Sequence, residues 1–160
     1  MTFENITEIE WAQLATWLDS DGCIGIRKSN PDRRAVNPIY HPSVQVYNSA
    51  SCVMEWLQDR FGGAVNPAKP PNPKHKQQYV WTCFVADHVT LLKGALLHFL
   101  VKRDRALLVI DYHEGMLWNG RERKGRSRAT TMLPAEVARR EALYQQSRKL
   151  NQLGPNNGSD

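Results

Sequence analysis

The stretch Leu14-Ala15-Thr16-Trp17-Leu18-Asp19-Ser20-Asp21-Gly22, running on into Cys23-Ile24-Gly25-Ile26, decides how the rest of the chain is read. Upstream, Thr7-Glu8-Ile9-Glu10 has the form of a capping box, with Thr at the N-cap and an acid three residues on. A helix is expected from about Glu8 to Ser20. Its Leu14, Trp17 and Leu18 share one face, and Ala12, Thr16 and Ser20 recur every fourth residue on another. Short side chains at that spacing let two helices approach closely. Asp19-Ser20-Asp21-Gly22 ends the helix, with Gly22 suited to a left-handed cap. Asp19 and Asp21 put an acidic pair at the end of the small-residue seam.

That acidic turn has two competing roles. Asp19 and Asp21 can act purely as local turn residues. The DxDG pattern also resembles a calcium-binding loop. Aligned that way, its first and twelfth positions would be Trp17 and Lys28, and neither supplies an oxygen ligand, so the calcium loop fails.

Beyond the turn, Cys23 to Ser29 alternates with Ile24 and Ile26 inward, as a strand does. Asn30 to Asn37 is polar and is expected to be a loop. Tyr40 to Asn48 alternates Val44 and Val46 against His41, Ser43, Gln45 and Tyr47, so one sheet face is buried and the other open. Ser51 to Phe61 has helical spacing and stops at Gly62-Gly63. Ala64 to Ala68 and Gln78 to Val85 are expected strands, flanking a loop stiffened by Pro70, Pro71 and Pro73. In the second of them Tyr79, Trp81, Cys83 and Val85 form the inward set. Asp87 is expected to cap a helix reaching Phe99. Another helix runs from about Arg103 to Leu117, and a last one from Pro134 to near Leu153. Hairpins interleaved with helices give an α+β layer architecture. One domain is expected over residues 1–153, followed by a disordered tail over 154–160.

The 160 residues contain 41% hydrophobic and 23% charged residues, enough for a single core and too apolar for disorder. The acidic N-terminus does not read as a secretory signal, and no apolar run spans a bilayer. An intracellular, membrane-free protein is expected. Cys23, Cys52 and Cys83 form no zinc pattern and are expected to be free thiols. The five histidines show no metal-ligand spacing, and nucleophile-elbow and phosphate-loop motifs are missing. Net charge is +5. The basic residues cluster at Arg27, Lys28, Arg33 and Arg34; at Lys69, Lys74 and Lys76; at Lys102, Arg103 and Arg105; and over Arg121 to Arg128. Separate basic loops suit a polyanion.

The nine residues Leu14 to Gly22 resemble the LAGLIDADG signature of homing endonucleases. Seven positions are identical or conservatively similar, and the departures are Thr16 and Trp17. The resemblance extends in pattern from Glu8 to Leu117. It implies the family's αββαββα core, with a saddle-shaped antiparallel sheet lying on DNA and backed by helices, here with extra C-terminal helices. It implies an endonuclease that cuts double-stranded DNA at a specific site. One motif in 160 residues implies a homodimer and a long pseudo-palindromic target. Ala12, Thr16, Ser20 and Asp19 would form the interface. Paired Asp21 carboxylates, with the Gly22 carbonyl, would hold Mg2+, for which Mn2+ or Ca2+ can substitute in binding.

By the same resemblance, Lys102 is the basic residue four before an Ala, and Asn48 stands where relatives place an amide near the attacking water. Cys52 departs from the pattern, standing where some relatives carry a basic residue. The open sheet face would read bases through Arg27, Ser29, His41, Ser43, Gln45, Tyr47, Asn66, Gln78, Val80 and Thr82. Arg33, Arg34, Lys69, Lys74 and Lys76 would touch phosphate. The implied location is an organelle (chloroplast or mitochondrion) or a bacterial or phage cytoplasm, with no small-molecule substrate. The rival expectations are a non-cleaving LAGLIDADG protein that binds DNA or RNA, a maturase or a regulator, and an α+β interaction module without a nucleic-acid role.

Overall fold

A computed structural model describes residues 3, 5–29, 37–68, 76–115 and 132–152. The first helix, α1 (Glu8–Asp21), starts at the expected capping box: Glu10 N donates to Thr7 Oγ1 at 3.3 Å, and Thr7 N donates back to Glu10 Oε2 at 2.8 Å. Glu10 also accepts from Arg60 Nη2 at 2.9 Å. Those hydrogen bonds, Arg60 first, hold its carboxyl down to about 2.

The exit from α1 differs from expectation. Gly22 is extended, φ −88° and ψ 158°, not left-handed. A Cβ there would lie 2.4 Å from Leu18 O and 2.5 Å from Leu18 Cα. Glycine is required by close approach to the last turn of α1, and the chain passes from helix to strand with no intervening loop.

Four strands follow: β1 (Gly22–Ser29), β2 (Ile39–Asn48), β3 (Ala64–Ala68) and β4 (Gln78–Thr82), with α2 (Ser51–Phe61) between β2 and β3. They form one antiparallel sheet in the order β1-β2-β4-β3. Ile24, Ile26, Tyr40, Val44, Val46 and Trp81 are buried on one face, packed with Leu14 and Leu18 of α1 and Met54, Leu57 and Phe61 of α2. Burying the rows that alternate by two fixes the register, because a one-residue slip would turn them outward.

The fourth strand is shorter than its sequence pattern suggested. After Cys83 N donates to Val44 O at 3.0 Å, Val85–Asp87 turn as a 3-10 helix, and Val85 is 59% exposed. The partner strand β3 begins at Ala64, opposite Thr82, so the ladder has no neighbour on that side beyond this point. The expected helix from Asp87 to Phe99 is divided into α3 (His88–Ala95) and a 3-10 turn, Leu96–His98. Asp87 makes no side-chain cap bond to α3. Gly94 brings α3 against α1, since a Cβ there would sit 2.6 Å from the Trp11 ring.

Next, α4 (Arg103–Glu114) closes the core, with Ala106, Val109, Ile110 and Tyr112 buried. Its expected extension to Leu117 lies outside the described residues. Finally, α5 (Pro134–Gln152) covers the edge of β1: Ile26 N donates to Ser147 Oγ at 3.1 Å, and Lys28 pairs with Glu141 at 2.7 Å. Covering an edge strand with a helix shields its backbone from pairing with another chain. The C-terminal tail expected over 154–160 lies outside the described residues.

Polar contacts also tie the helical segments together, and two of them bear on stability. The Asp19 carboxylate accepts from Leu100 N at 2.8 Å, Val101 N at 3.2 Å and Lys102 N at 2.8 Å, fixing the entry to α4. Between α3 and α4, His88 Nδ1 lies 3.3 Å from His113 Nε2, and His88 Nε2 lies 3.3 Å from Cys83 O. Each contact needs one proton, so two neutral rings satisfy both. Burial, then the nearby His113, lowers His88 to about 4.

Asp19→Ala should lower unfolding free energy by about 2 kcal/mol, because three N–H groups lose a charged acceptor. Urea unfolding of the two proteins measures it. The His88 shift predicts a pH dependence. Its stabilising contribution is complete above the ordinary imidazole value of 6.5 and is lost as pH falls towards about 4. The loss should be roughly 2–3 kcal/mol. Urea titrations from pH 7 to 4 should show that slope, and His88→Gln should flatten it.

Candidate active site

The α1–β1 junction gathers residues from three places in the chain. Asp21 is the last residue of α1 and is exposed. Asn48 is the last residue of β2. Because Gly22 pairs with Val46, β2 runs past the start of β1 and delivers Asn48 beside the helix end. Its Nδ2 donates to Asp21 Oδ2 at 2.8 Å, while its Oδ1 accepts from Ala50 N at 2.9 Å. The backbone bond fixes which end of the amide faces the carboxylate. Asn48 thus orients Asp21.

Lys102 arrives on the segment held by Asp19. Lys102 is buried, 7% exposed, and its ammonium donates to Leu18 O at 2.7 Å and Gly22 O at 2.8 Å. A cation suits the carbonyl end of a helix, where the backbone dipoles concentrate negative charge. Burial lowers the Lys102 pKa, Arg105 adds to the shift, and Asp19, Cys23 and Asp21 oppose it. The pair Asp21-Gly22, Asn48 and Lys102, far apart in the sequence, therefore meet at one end of α1. Among the described residues no three His, Cys, Asp or Glu side chains cluster as metal ligands.

The seam leading to this junction is open. Thr16 and Ser20 are exposed and Ala12 is half-buried. Thr16 Oγ1 donates to Ala12 O at 2.9 Å and Ser20 Oγ to Thr16 O at 3.0 Å. With hydroxyls bonded to their own helix, the seam offers carbon surface without an unpaired donor. Asp19, expected beside the seam at an interface, has its carboxylate engaged within its own chain.

Below the junction lies the sheet face opposite the core. The register aligns Tyr47, Val80 and Asn66 in one row, and Gln45, Thr82 and Ala64 in the next. Arg27 Nη2 donates to Gln45 Oε1, which also accepts from Tyr47 OH at 3.2 Å; Gln45 Nε2 reaches Thr82 Oγ1 at 3.1 Å. Ser29 Oγ lies 3.1 Å from His41 Nε2, and Ser43 Oγ donates to Gly25 O at 3.5 Å. Gln78 pairs with Ala68 at the far end, and Lys76 is exposed just before β4. Arg33, Arg34, Lys69 and Lys74 lie outside the described residues, as does the basic stretch Arg121 to Arg128.

Two features escape a reading of the sequence. One is the latch made by Asp19. The other is a groove of about 430 Å³ between α1 and α2, lined by Gln13, Thr16, Trp17, Cys52, Val53 and Trp56. Trp17 at a position expected to be aliphatic was its one sequence signal.

No protein-family profile matches the chain, and no curated relative does. Solved structures do. An archaeal intron-encoded homing endonuclease, I-Vdi141I, complexed with DNA, matches 96% of this chain and 90% of its own at TM-score 0.70 and 14% identity. The homing endonuclease I-CvuI, in complex with the I-CreI target in the presence of Mg, matches 89% and 82% at 0.65 and 19%. The LAGLIDADG homing endonuclease I-GzeII, in complex with a DNA target, matches 68% of this chain and 35% of its own at 0.50 and 14%. Identities this low speak of architecture, and the architecture is plain: the chain has the α+β fold of the LAGLIDADG homing endonucleases.

Proposed function

We propose that this protein is a site-specific endonuclease that cuts double-stranded DNA as a homodimer on a pseudo-palindromic target. The observation that carries the reading is the exposed Asp21 carboxylate, oriented by Asn48 at the end of a donor-free helical seam and beside an open polar sheet face. Homing endonucleases of the same fold have been solved on DNA, which supports a nucleic-acid partner.

Packing two α1 seams side by side, with their C-terminal ends together, brings two Asp21 carboxylates to one axis. Like charges that close repel unless a cation lies between them. The Asp21 carboxylate is a hard oxygen donor of the kind Mg2+ takes, with Mn2+ or Ca2+ able to replace it in binding, and the Gly22 carbonyl, already accepting from Lys102 Nζ at 2.8 Å, would join it through its second lone pair. One chain offers too few acidic side chains here to complete a site, so the second Asp21 and the DNA phosphate would supply the rest. A divalent ion so held would supply water activation and stabilisation of the leaving oxygen of the phosphodiester.

The chain's own groups prepare that geometry. Asn48 holds the carboxylate through Nδ2, and the second N–H of its amide would orient water. Lys102 pins the carbonyls of Leu18 and Gly22 and adds positive charge beneath the phosphate. The sheet face lies in the major groove: Arg27 reads guanine and Gln45 adenine, with Ser29, His41, Ser43, Tyr47, Asn66, Gln78, Val80 and Thr82 completing the surface. Arg33, Arg34, Lys69, Lys74 and Lys76 hold phosphates and set register.

Incubation with a randomised duplex library and magnesium, followed by sequencing of the cut ends, should return one pseudo-palindromic motif. Asp21→Asn should reduce cleavage at least about a hundredfold, the scale of removing one transition-state stabilising group. Its DNA affinity and the salt dependence of binding should be unchanged. Equal cutting by the variant defeats the assignment. Salt-dependent DNA binding by the native chain with no cutting assigns it instead to the non-cleaving binders.

A further inference from the structure

The seam of α1 is too narrow to hold two chains together alone. Fourteen residues make a helix about 21 Å long and about 10 Å wide, so the exposed stripe offers on the order of 200 Å² per subunit. A stable interface buries about 800 Å² on each partner. The surfaces flanking α1 must supply the difference, and they are unlike each other.

On one flank, Gln13 and Trp17 face α2 and form one wall of the groove, with Val53 and Trp56 as the other. On the opposite flank, Glu8 pairs with His98 at 3.0 Å, and Asp19 holds Leu100 to Lys102. That segment presents Leu97, 79% exposed, and Leu100, 93% exposed. Within one chain, α1 separates an apolar cavity from two unsheltered leucines.

Symmetry decides what meets what. If the two Asp21 residues are to share one end of the dimer, its two-fold axis runs along the helices. Rotation about such an axis carries the leucine flank of one subunit onto the groove flank of the other. An axis across the helices would set leucines against leucines and hold the two Asp21 about 21 Å apart, a helix length. We propose that Leu97 and Leu100 of each subunit fill the other subunit's α1–α2 groove between Trp17 and Trp56. This rests on the dimeric nuclease reading. A leucine in a tryptophan-lined, water-excluding pocket is the kind of contact that dominates interface energetics.

Cys52, exposed at the groove, gives a native handle. In the full chain, Leu97→Cys treated with a short bis-maleimide should give a covalent dimer bridged from the introduced thiol to the partner's Cys52. Adding Cys52→Ser should abolish the bridge. Leu97→Ser combined with Leu100→Ser should raise the dimer dissociation constant about tenfold or more by sedimentation, with the far-UV circular dichroism unchanged because both residues are exposed. A native-strength dimer with no such bridge overturns the docking but leaves the nuclease reading standing. A bridge between the two introduced thiols in the Cys52→Ser background overturns both, as does a chain that stays monomeric at micromolar concentration.

Discussion

Everything at the head of α1 depends on a reciprocal latch between Asp19 and Lys102. The carboxylate of Asp19 gathers the backbone N–H groups of residues 100–102, and the ammonium of Lys102 gathers the carbonyls of Leu18 and Gly22. Anion meets donors, and cation meets acceptors. Each charge is buried or half-buried with hydrogen-bonding partners, the condition under which a charge away from water is tolerable. Both contacts join the same two segments, so neither can shift without straining the other. The latch fixes the helix end that carries Asp21 relative to the segment that leads into α4.

Gly22 makes that latch possible. A side chain there would collide with Leu18, and an extended glycine lets the strand begin where the helix stops. A left-handed cap would have turned the chain away and moved the Gly22 carbonyl off Lys102. The same economy of length brings Asn48 into reach, since β1 starts at once and its register with β2 carries the last residue of β2 beside Asp21. Backbone geometry, more than side-chain chemistry, assembles the junction.

Much of this was readable from local pattern. The capping box, the alternation of Val44 and Val46 and the Gly62-Gly63 stop are encoded within a few residues of where they act, and the structure shows each where expected. What local pattern missed depended on distant partners. Val85 continues a period-two run, but the strand ends because β3 has no residue to pair beyond Ala64. The helix expected through Phe99 breaks at Ala95, after Gly94 has docked on Trp11. Asp19 reads as an interface or turn residue until residues 100–102, 81 to 83 positions away, arrive above it. The groove beside Trp17 is likewise invisible until α2 is folded against α1.

The basic residues carry the same lesson into function. Arg27 and Lys28 are neighbours and count equally towards the net charge of +5. Alternation sends them to opposite faces. Arg27 lies on the open face, linked to Gln45. Lys28 points to the helical side, paired with Glu141 and 5.8 Å from the rings of both Tyr40 and Tyr144. Glu141, held down to about 2 by Lys28, Tyr40 and Gln145, neutralises that cation close at hand. Only the first of the two is placed to meet a polyanion laid across the sheet. A positive total thus says little about where an acidic partner sits; the parity of each strand and the reach of α5 decide which charges remain outward.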